Sequence, residues 1–466
     1  MIHSNIQKTV SPVDGRVYVE RPLASVAQIN ETLRTARHAF TVWRDTSLTD
    51  RAAILTRFCS EFEKRGPQIA EELTWQMGRP ARYAPNEVRG TLERARHMIA
   101  IAPQALEDVD AGAKDNFTRF VRREPLGVVF TVAAWNYPFL IAVNSIVPAL
   151  MAGNVVVLKH SAQTPLAAER FAECLTAAGL PEGVFQVLHA SHADTDLIIR
   201  DPRVDFVAFT GSVAGGRAVQ RAAATRFIGV GLELGGCDPV YVRRDANLAH
   251  AIENIVDGAF FNSGQSCCGL QRVYVHYGVY QKFTEGFVEL TRTYNLGVPT
   301  DAATTLGPLV RTAAADGVRA RIQASIAAGA TGAISESSFA ASRAGTPYLA
   351  PQVLLNVNHT MPVMREEIFG PVAGIMKVSS DDEAVDLMND SDFGLTAAIW
   401  TEDAEVAQAL GTRVNTGTWF MNRCDYLDPA LAWTGVKDSG RGCTLSVVGY
   451  EHLTRPKSFH MRLKTS

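Results

Sequence analysis

The chain reads as an α/β protein: parallel sheets wound by crossover helices in two units, with a small β-ribbon beside them. Three observations predict this. At 466 residues the chain is too long for one small core, so two or three domains are expected. From residue 126 onward, apolar runs of strand length alternate with helical patterns. Such alternation implies parallel strands joined by crossover helices, with ligands at the strands' carboxyl ends. Finally, residues 125–158 carry no charge at all. That stretch could cross a bilayer, but Pro125, Gly127, Asn136, Pro138, Asn144, Pro148, Gly153 and Asn154 break it up. It reads instead as the buried centre of an α/β unit, because parallel strands covered on both faces are apolar throughout.

In chain order, residues 25–108 are mostly helical by pattern. Ser25 caps a helix to about Trp43, with Ile29, Leu33, Ala36 and Phe40 on one face. Further helices are expected near 49–64, 67–77 and 84–104, each bounded by Pro or Gly. Residues 117–123 alternate imperfectly and include arginines, so a strand there belongs to an exposed ribbon. Strands follow at 128–133, 155–158, 184–188 and 204–209, with helices at 139–151 and 165–178 and helix starts near 194 and 213. After Gly236 a second α/β unit begins. Its strands are 239–242, 272–276, 352–355, 373–378, 396–400 and 416–421, and its helices lie near 248–261, 279–293, 381–388 and 403–411. Residues 311–346 are rich in Ala, Gly and Ser and read as a surface excursion with one helical stretch.

A net charge of −3 gives no electrostatic case for nucleic acid or an anionic membrane. The seven cysteines, at 59, 174, 237, 267, 268, 424 and 443, are odd in number and scattered, which suits reduced thiols in a cytoplasmic enzyme. They form no Cys-x-x-Cys pair, and His189 and His192 read as loop residues, so no metal is expected. Residues 1–10 lack the apolar core of a signal peptide.

Two stretches carry chemistry. Phe260-Phe-Asn-Ser-Gly-Gln-Ser-Cys267-Cys268-Gly269 sets adjacent thiols in a small, glycine-flanked segment that is uncharged from Gly258 to Leu270. Upstream, Leu232-Glu233-Leu-Gly-Gly236 holds a carboxylate in an apolar, glycine-hinged segment. A thiol nucleophile with a carboxylate base is one way to run covalent chemistry on a carbonyl. Taken alone, the same residues are equally a buried structural cysteine pair and a loop glutamate.

Both segments, at this separation, resemble the active-site cysteine and glutamate motifs of the aldehyde dehydrogenase superfamily. So do Ala134-Trp135-Asn136-Tyr137-Pro138, Phe209-Thr-Gly211-Ser212 and Glu366-Glu367-Ile-Phe369-Gly-Pro-Val372, in that family's order and across most of the chain. The stretch Trp433-Thr-Gly-Val-Lys-Asp-Ser-Gly-Arg-Gly442 is similar too. The resemblance implies a Rossmann-like cofactor domain (1–111 and 126–235), a catalytic α/β domain (236–445) and an oligomerisation ribbon (112–125 and 446–466). The ribbon strand would pair with Ser458–Lys464 and build a homodimer or homotetramer.

The resemblance also implies roles. Cys267 is the nucleophile, Asn136 and the Cys267 N–H the oxyanion donors, and Glu233 the base that activates water. Thr210-Gly211-Ser212, with Gly216 one turn on and Trp135 nearby, takes the place of a missing Gly-x-Gly-x-x-Gly at the pyrophosphate. Lys159 would reach the adenosine ribose, Glu367 the nicotinamide ribose, and Phe369 the nicotinamide ring. Two departures concern the cofactor. NAD-preferring relatives carry Glu where this chain has Ala162, so nothing repels a 2′-phosphate and both NAD and NADP are admissible. In addition, residues 189–194 replace a glycine-rich turn. By family position the substrate pocket includes Tyr137, Ser266, Cys268, Arg423, Tyr426 and Trp433. Aromatic walls suit an aromatic or aliphatic aldehyde, whereas Arg423 would anchor a semialdehyde acid unless it pairs with Asp425 or Asp428. Alternatives are a CoA-acylating relative, disfavoured by Glu233, and a non-catalytic binding or structural relative, disfavoured by an intact Cys267, Glu233 and Asn136.

Overall fold

The computed structural model describes residues 6–465. Two large sheets organise these residues. The first has six strands in the order Gly440–Arg441, Gly229–Glu233, Phe206–Thr210, Val128–Ala133, Val155–His160, Phe185–Val187. All pair in parallel except Gly440–Arg441, which closes one edge antiparallel to Gly229–Glu233. The second has seven: Thr331–Gly332, Gln352–Leu355, Val372–Val378, Leu270–His276, Asp238–Val242, Thr396–Trp400 and Thr418–Met421. It too is parallel apart from its first pair.

The charge-free stretch forms the middle of the first sheet. Strands Val128–Ala133 and Val155–His160 are buried at every position, as parallel strands sandwiched by helices must be. The helix Pro138–Met151 joins them and shares its core with the N-terminal helices. Those helices start where local chemistry dictates. Val26–Trp43 opens on a Ser25/Gln28 capping box, and Leu48–Lys64 on Ser47.

Several boundaries differ from the sequence reading. A hairpin, Ile6–Val10 with Val17–Pro22, precedes the first helix and was not anticipated. The helix expected from 194 starts at His192, because Ser191 caps it and Asp194 returns a bond to the Ser191 N–H. The segment before Glu233 is a strand, Gly229–Glu233, paired with Phe206–Thr210. The ribbon partner is Thr454–Arg462, which overlaps the expected 458–464 but starts four residues earlier and ends two earlier. That register sets Phe459 opposite Phe120, with the rings stacked at 4.6 Å.

Residues 234–237 alone separate the end of strand Gly229–Glu233 from the start of Asp238–Val242. One short crossing therefore joins the two sheets, and Glu233 stands at its head.

Candidate active site

The cysteine segment is built by a helix that stops abruptly. Helix Leu248–Phe260 ends, and Asn262, Ser263 and Gly264 follow in left-handed backbone (φ 52°, 57° and 68°). Three such residues in a row are costly unless the surroundings hold them. Gly264 is obligatory here, because a Cβ would lie 2.2 Å from the Gly370 carbonyl oxygen. Gln265 is clamped: its Oε1 accepts from Val310 N–H (2.8 Å) and its Nε2 donates to Asn262 O (3.1 Å). On the other side, a Cβ at Gly236 would meet Cys267 O at 2.3 Å, so the crossing between the sheets presses directly on the cysteine.

A buried polar web ties this segment to residues 134–137. The Asn136 amide donates to Gln265 O (3.2 Å), and the Asn262 amide donates to both Asn136 O and Gln265 O (3.2 Å each). Arg79 donates to Asn262 Oδ1 (3.3 Å) and Asn136 O (2.6 Å) and forms a buried ion pair with Glu87. Glu87 in turn accepts from Phe139 N–H (2.8 Å), which holds its charge at the N-terminus of helix Pro138–Met151. Two donors remain unspent: the second Asn136 N–H and the Cys267 backbone N–H, which has no acceptor among the described residues. Together they can receive an oxyanion.

Glu233 ends its strand with Oε1 accepting from the Thr444 hydroxyl (2.6 Å) and Oε2 from Thr210 (3.3 Å). Burial raises its carboxyl above the usual range, outweighing these bonds, and so strengthens it as a base. Cys267 is half-buried, whereas Cys268 is buried and donates to Asp425 Oδ1 (3.0 Å). The neighbouring Cys267 sulfur and burial push the Cys268 thiol well up, so it stays protonated. Asp425, in left-handed backbone (φ 53°), is itself pushed by burial to about 7.

Cys267 forms part of the wall between two clefts. One, of about 420 Å³, holds Glu233, Tyr137, Ser266, Cys268, Tyr426 and Trp433 in its lining. The other, of about 450 Å³, is lined by Trp135, Asn136, Gly211, Ser212, Glu367 and Phe369. In the second, Trp135 and Phe369 meet edge to face (5.7 Å), and Ser212 caps helix Val213–Ala223. Burial pushes Glu367 to about 7 although its Oε1 accepts from Gly236 N–H (3.2 Å). Gly216 lies one turn along that helix, packed against Leu234.

Lys159 is buried near the end of strand Val155–His160 and its ammonium meets no acceptor among the described residues. Burial lowers its pKa. A buried cation that the protein leaves unsatisfied, a capped helix N-terminus at Ser212 and a Glu367 carboxylate held only by the Gly236 N–H suit a dinucleotide with ribose hydroxyls and phosphates to offer, although Lys159 lines neither cleft.

Not every residue singled out from the sequence joins these clefts. Arg423 is exposed, lies 3.7 Å over the Tyr426 ring and does not line the cleft. Its charge is solvated and stacked on an aromatic face, and it forms no ion pair with Asp425 or Asp428. Sequence reasoning missed Arg79, Glu87, Arg94, Asn262, Asp425 and Thr444. Asn262 lies within the cysteine motif but reads there as a turn residue, and the others reach the site from segments with no local motif of their own.

Residues 2–459 match the aldehyde dehydrogenase family model, and the chain belongs to that family. It is an NAD(P)-dependent oxidoreductase acting on the aldehyde group. Among curated relatives, a succinate-semialdehyde dehydrogenase (NADP+) of Mycobacterium avium is 33% identical over 459 residues, covering 97% of this chain and 95% of that one. A succinate semialdehyde dehydrogenase (NAD(P)+) of Escherichia coli is 32% identical over 441 residues, 95% of each. Succinic semialdehyde dehydrogenase from Streptococcus pyogenes, solved with NADP+, superposes with a TM-score of 0.93 at 28% identity, over 98% of this chain and 100% of that one. The fold expected from the sequence is thus the observed one.

Proposed function

We propose that the enzyme oxidises a semialdehyde acid, an aldehyde with a carboxylate at its far end, to the diacid. One observation carries the reaction: Cys267 stands between two clefts, with Glu233 in one and Glu367 in the other. The relatives that act on succinic semialdehyde support the substrate class.

As thiolate, Cys267 Sγ attacks the aldehyde carbon, forming a C–S bond and an alkoxide. Asn136 Nδ2 and the Cys267 N–H donate to that oxygen. Trp135, Lys159, Gly211, Ser212, Glu367 and Phe369 would hold NAD(P)+, which would supply the hydride acceptor. Once the aldehyde hydrogen has left with its electron pair, the carbon remains bonded to Cys267 as a thioester. Glu233 then takes a proton from a water whose oxygen attacks that thioester, and the acid departs as the Cys267 thiolate is restored. Glu233 supports hydrolysis over transfer to a thiol.

Ala162 supports use of NADP at least comparable to NAD. The ribbon strand Thr454–Arg462 has a free edge, with Met461 and Leu463 exposed, which supports a homodimer or homotetramer. Seven unpaired thiols support a cytoplasmic setting.

The test is product analysis with a panel of succinic semialdehyde, benzaldehyde and hexanal, with and without coenzyme A. Free succinate formed with the highest kcat/KM is the expected result. Acyl-CoA as product, or a preference for either neutral aldehyde, overturns the reading.

A further inference from the structure

A substrate with a carboxylate needs a cation where it binds, and Arg423 does not line the aldehyde-side cleft. Arg94 does. It extends from helix Ala84–Ala105, is 9% exposed, and has no carboxylate within ion-pair distance. A buried guanidinium without a counter-ion is costly, so its donors need accounting.

Of its five N–H groups, those on Nη1 go to Leu140 O (2.9 Å) and Asn144 Oδ1 (3.2 Å). Nε and Nη2 donate to no protein atom, and neither is sealed from solvent. The contrast with Arg272 is instructive. That arginine is also buried without an ion pair, but Nε, Nη1 and Nη2 donate to Cys237 O, Leu387 O, Tyr274 Oη and Met388 O. Arg272 is structural; Arg94 keeps one edge of its fork free.

Asn144 adds to this. Its Oδ1 fixes the guanidinium, its Nδ2 has no protein acceptor, and it lines the same cleft. Two carboxylates share that cleft interior. Glu233 is engaged by Thr444 and Thr210, while Asp425 is bonded by Cys268 and pushed by burial to about 7. Glu93, at the rim, accepts from the Tyr426 hydroxyl (2.7 Å).

We infer that Arg94, with the Asn144 amide, binds the far carboxylate of the substrate. The free Nε–Nη2 edge matches two carboxylate oxygens, and Asn144 donates to one of them. This rests on the semialdehyde-acid reading above and names the residues that enforce it. Helix Ala84–Ala105 therefore sets specificity while the segment at Cys267 does chemistry.

The experiment compares kcat/KM for succinic semialdehyde and for butanal, a neutral aldehyde of the same length. Wild type should prefer succinic semialdehyde; if it does not, the substrate reading itself falls. Given that preference, Arg94→Met should lower the ratio of the two kcat/KM values by about 10- to 100-fold, chiefly through KM for the semialdehyde. An unchanged ratio in a folded variant overturns the anchor and leaves the substrate reading standing. Should Arg94→Met fail to fold, Arg94→Lys keeps the charge and drops the fork. It should lower the ratio by about tenfold, and an unaltered ratio there overturns the inference equally.

Discussion

The two clefts that meet at Cys267 are made in different ways. The cofactor-side cleft sets Gly211, Ser212, Gly235 and a capped helix N-terminus among side chains such as Trp135, Arg321, Glu367 and Phe369. The aldehyde-side cleft is made of side chains drawn from residues 86–94, 137–144, 233–234, 261–268 and 425–433. It also gathers ionisable groups, the buried Arg94 and the half-buried Glu233 and Asp425. Backbone recognition of a phosphate needs glycines at fixed local spacing. Recognition of a particular aldehyde needs charges that the fold alone assembles. The first kind of site leaves a motif; in the second, Cys267 and Glu233 lie in motifs but Arg94 and Asp425 do not.

Substitutions can break that division, beginning at the shared wall. Cys267→Ala should lower kcat by at least about 10³-fold while cofactor binding, followed by fluorescence titration, persists. Cys268→Ala should keep measurable turnover; the reverse ranking would assign the sulfur wrongly. Next, Glu233→Gln should retain a rapid burst of NAD(P)H and lose about 10²- to 10³-fold in steady state. Stopped-flow absorbance reads both phases, and loss of the burst would place Glu233 before the thioester rather than after it.

A smaller effect tests the cofactor side alone. Glu367→Gln should raise KM for NAD(P) by about tenfold with little change in KM for the aldehyde. Equal movement of both would mean that the clefts are not independent.

The smallest effect is on stability. Burial lifts the folded Asp425 carboxyl to about 7, against an ordinary value near 4 in the unfolded chain. Between those values the folded protein holds a proton that the unfolded chain has lost, so stability falls as pH rises through the window. Glu367, at about 7, and Asp238, at about 8, act in the same direction. Thermal melting from pH 4 to 8 should therefore show a falling Tm, with a shallower slope in Asp425→Asn. An identical slope would remove Asp425 from the set.

The division also explains what could be read in advance. The sheets were legible because a run such as Val155-Val-Val-Leu158 has one physical use, a strand covered on both faces. Cys267, Glu233 and Asn136 were legible through motifs; Cys267 lines both clefts, Glu233 one and Asn136 the other. The hairpin at 6–22 was missed because short exposed strands have no decisive pattern. Arg94 was passed over because a lone arginine in a helix looks solvated until the opposing helix, with Asn144, is in place. Arg423 drew notice for the opposite reason: its local context is suggestive, but its side chain leaves the cleft for the Tyr426 ring.

Placing the reactive sulfur in a wall with a doorway on each side has a consequence for traffic. On the proposed reading, a nucleotide in one cleft and an aldehyde in the other would meet only at Cys267 and at Ile141, Thr210 and Leu234, which line both. Water can reach the thioester through the Glu233 side while the nucleotide side stays filled. The order of arrival and departure is then set by affinity and local motion rather than by steric precedence.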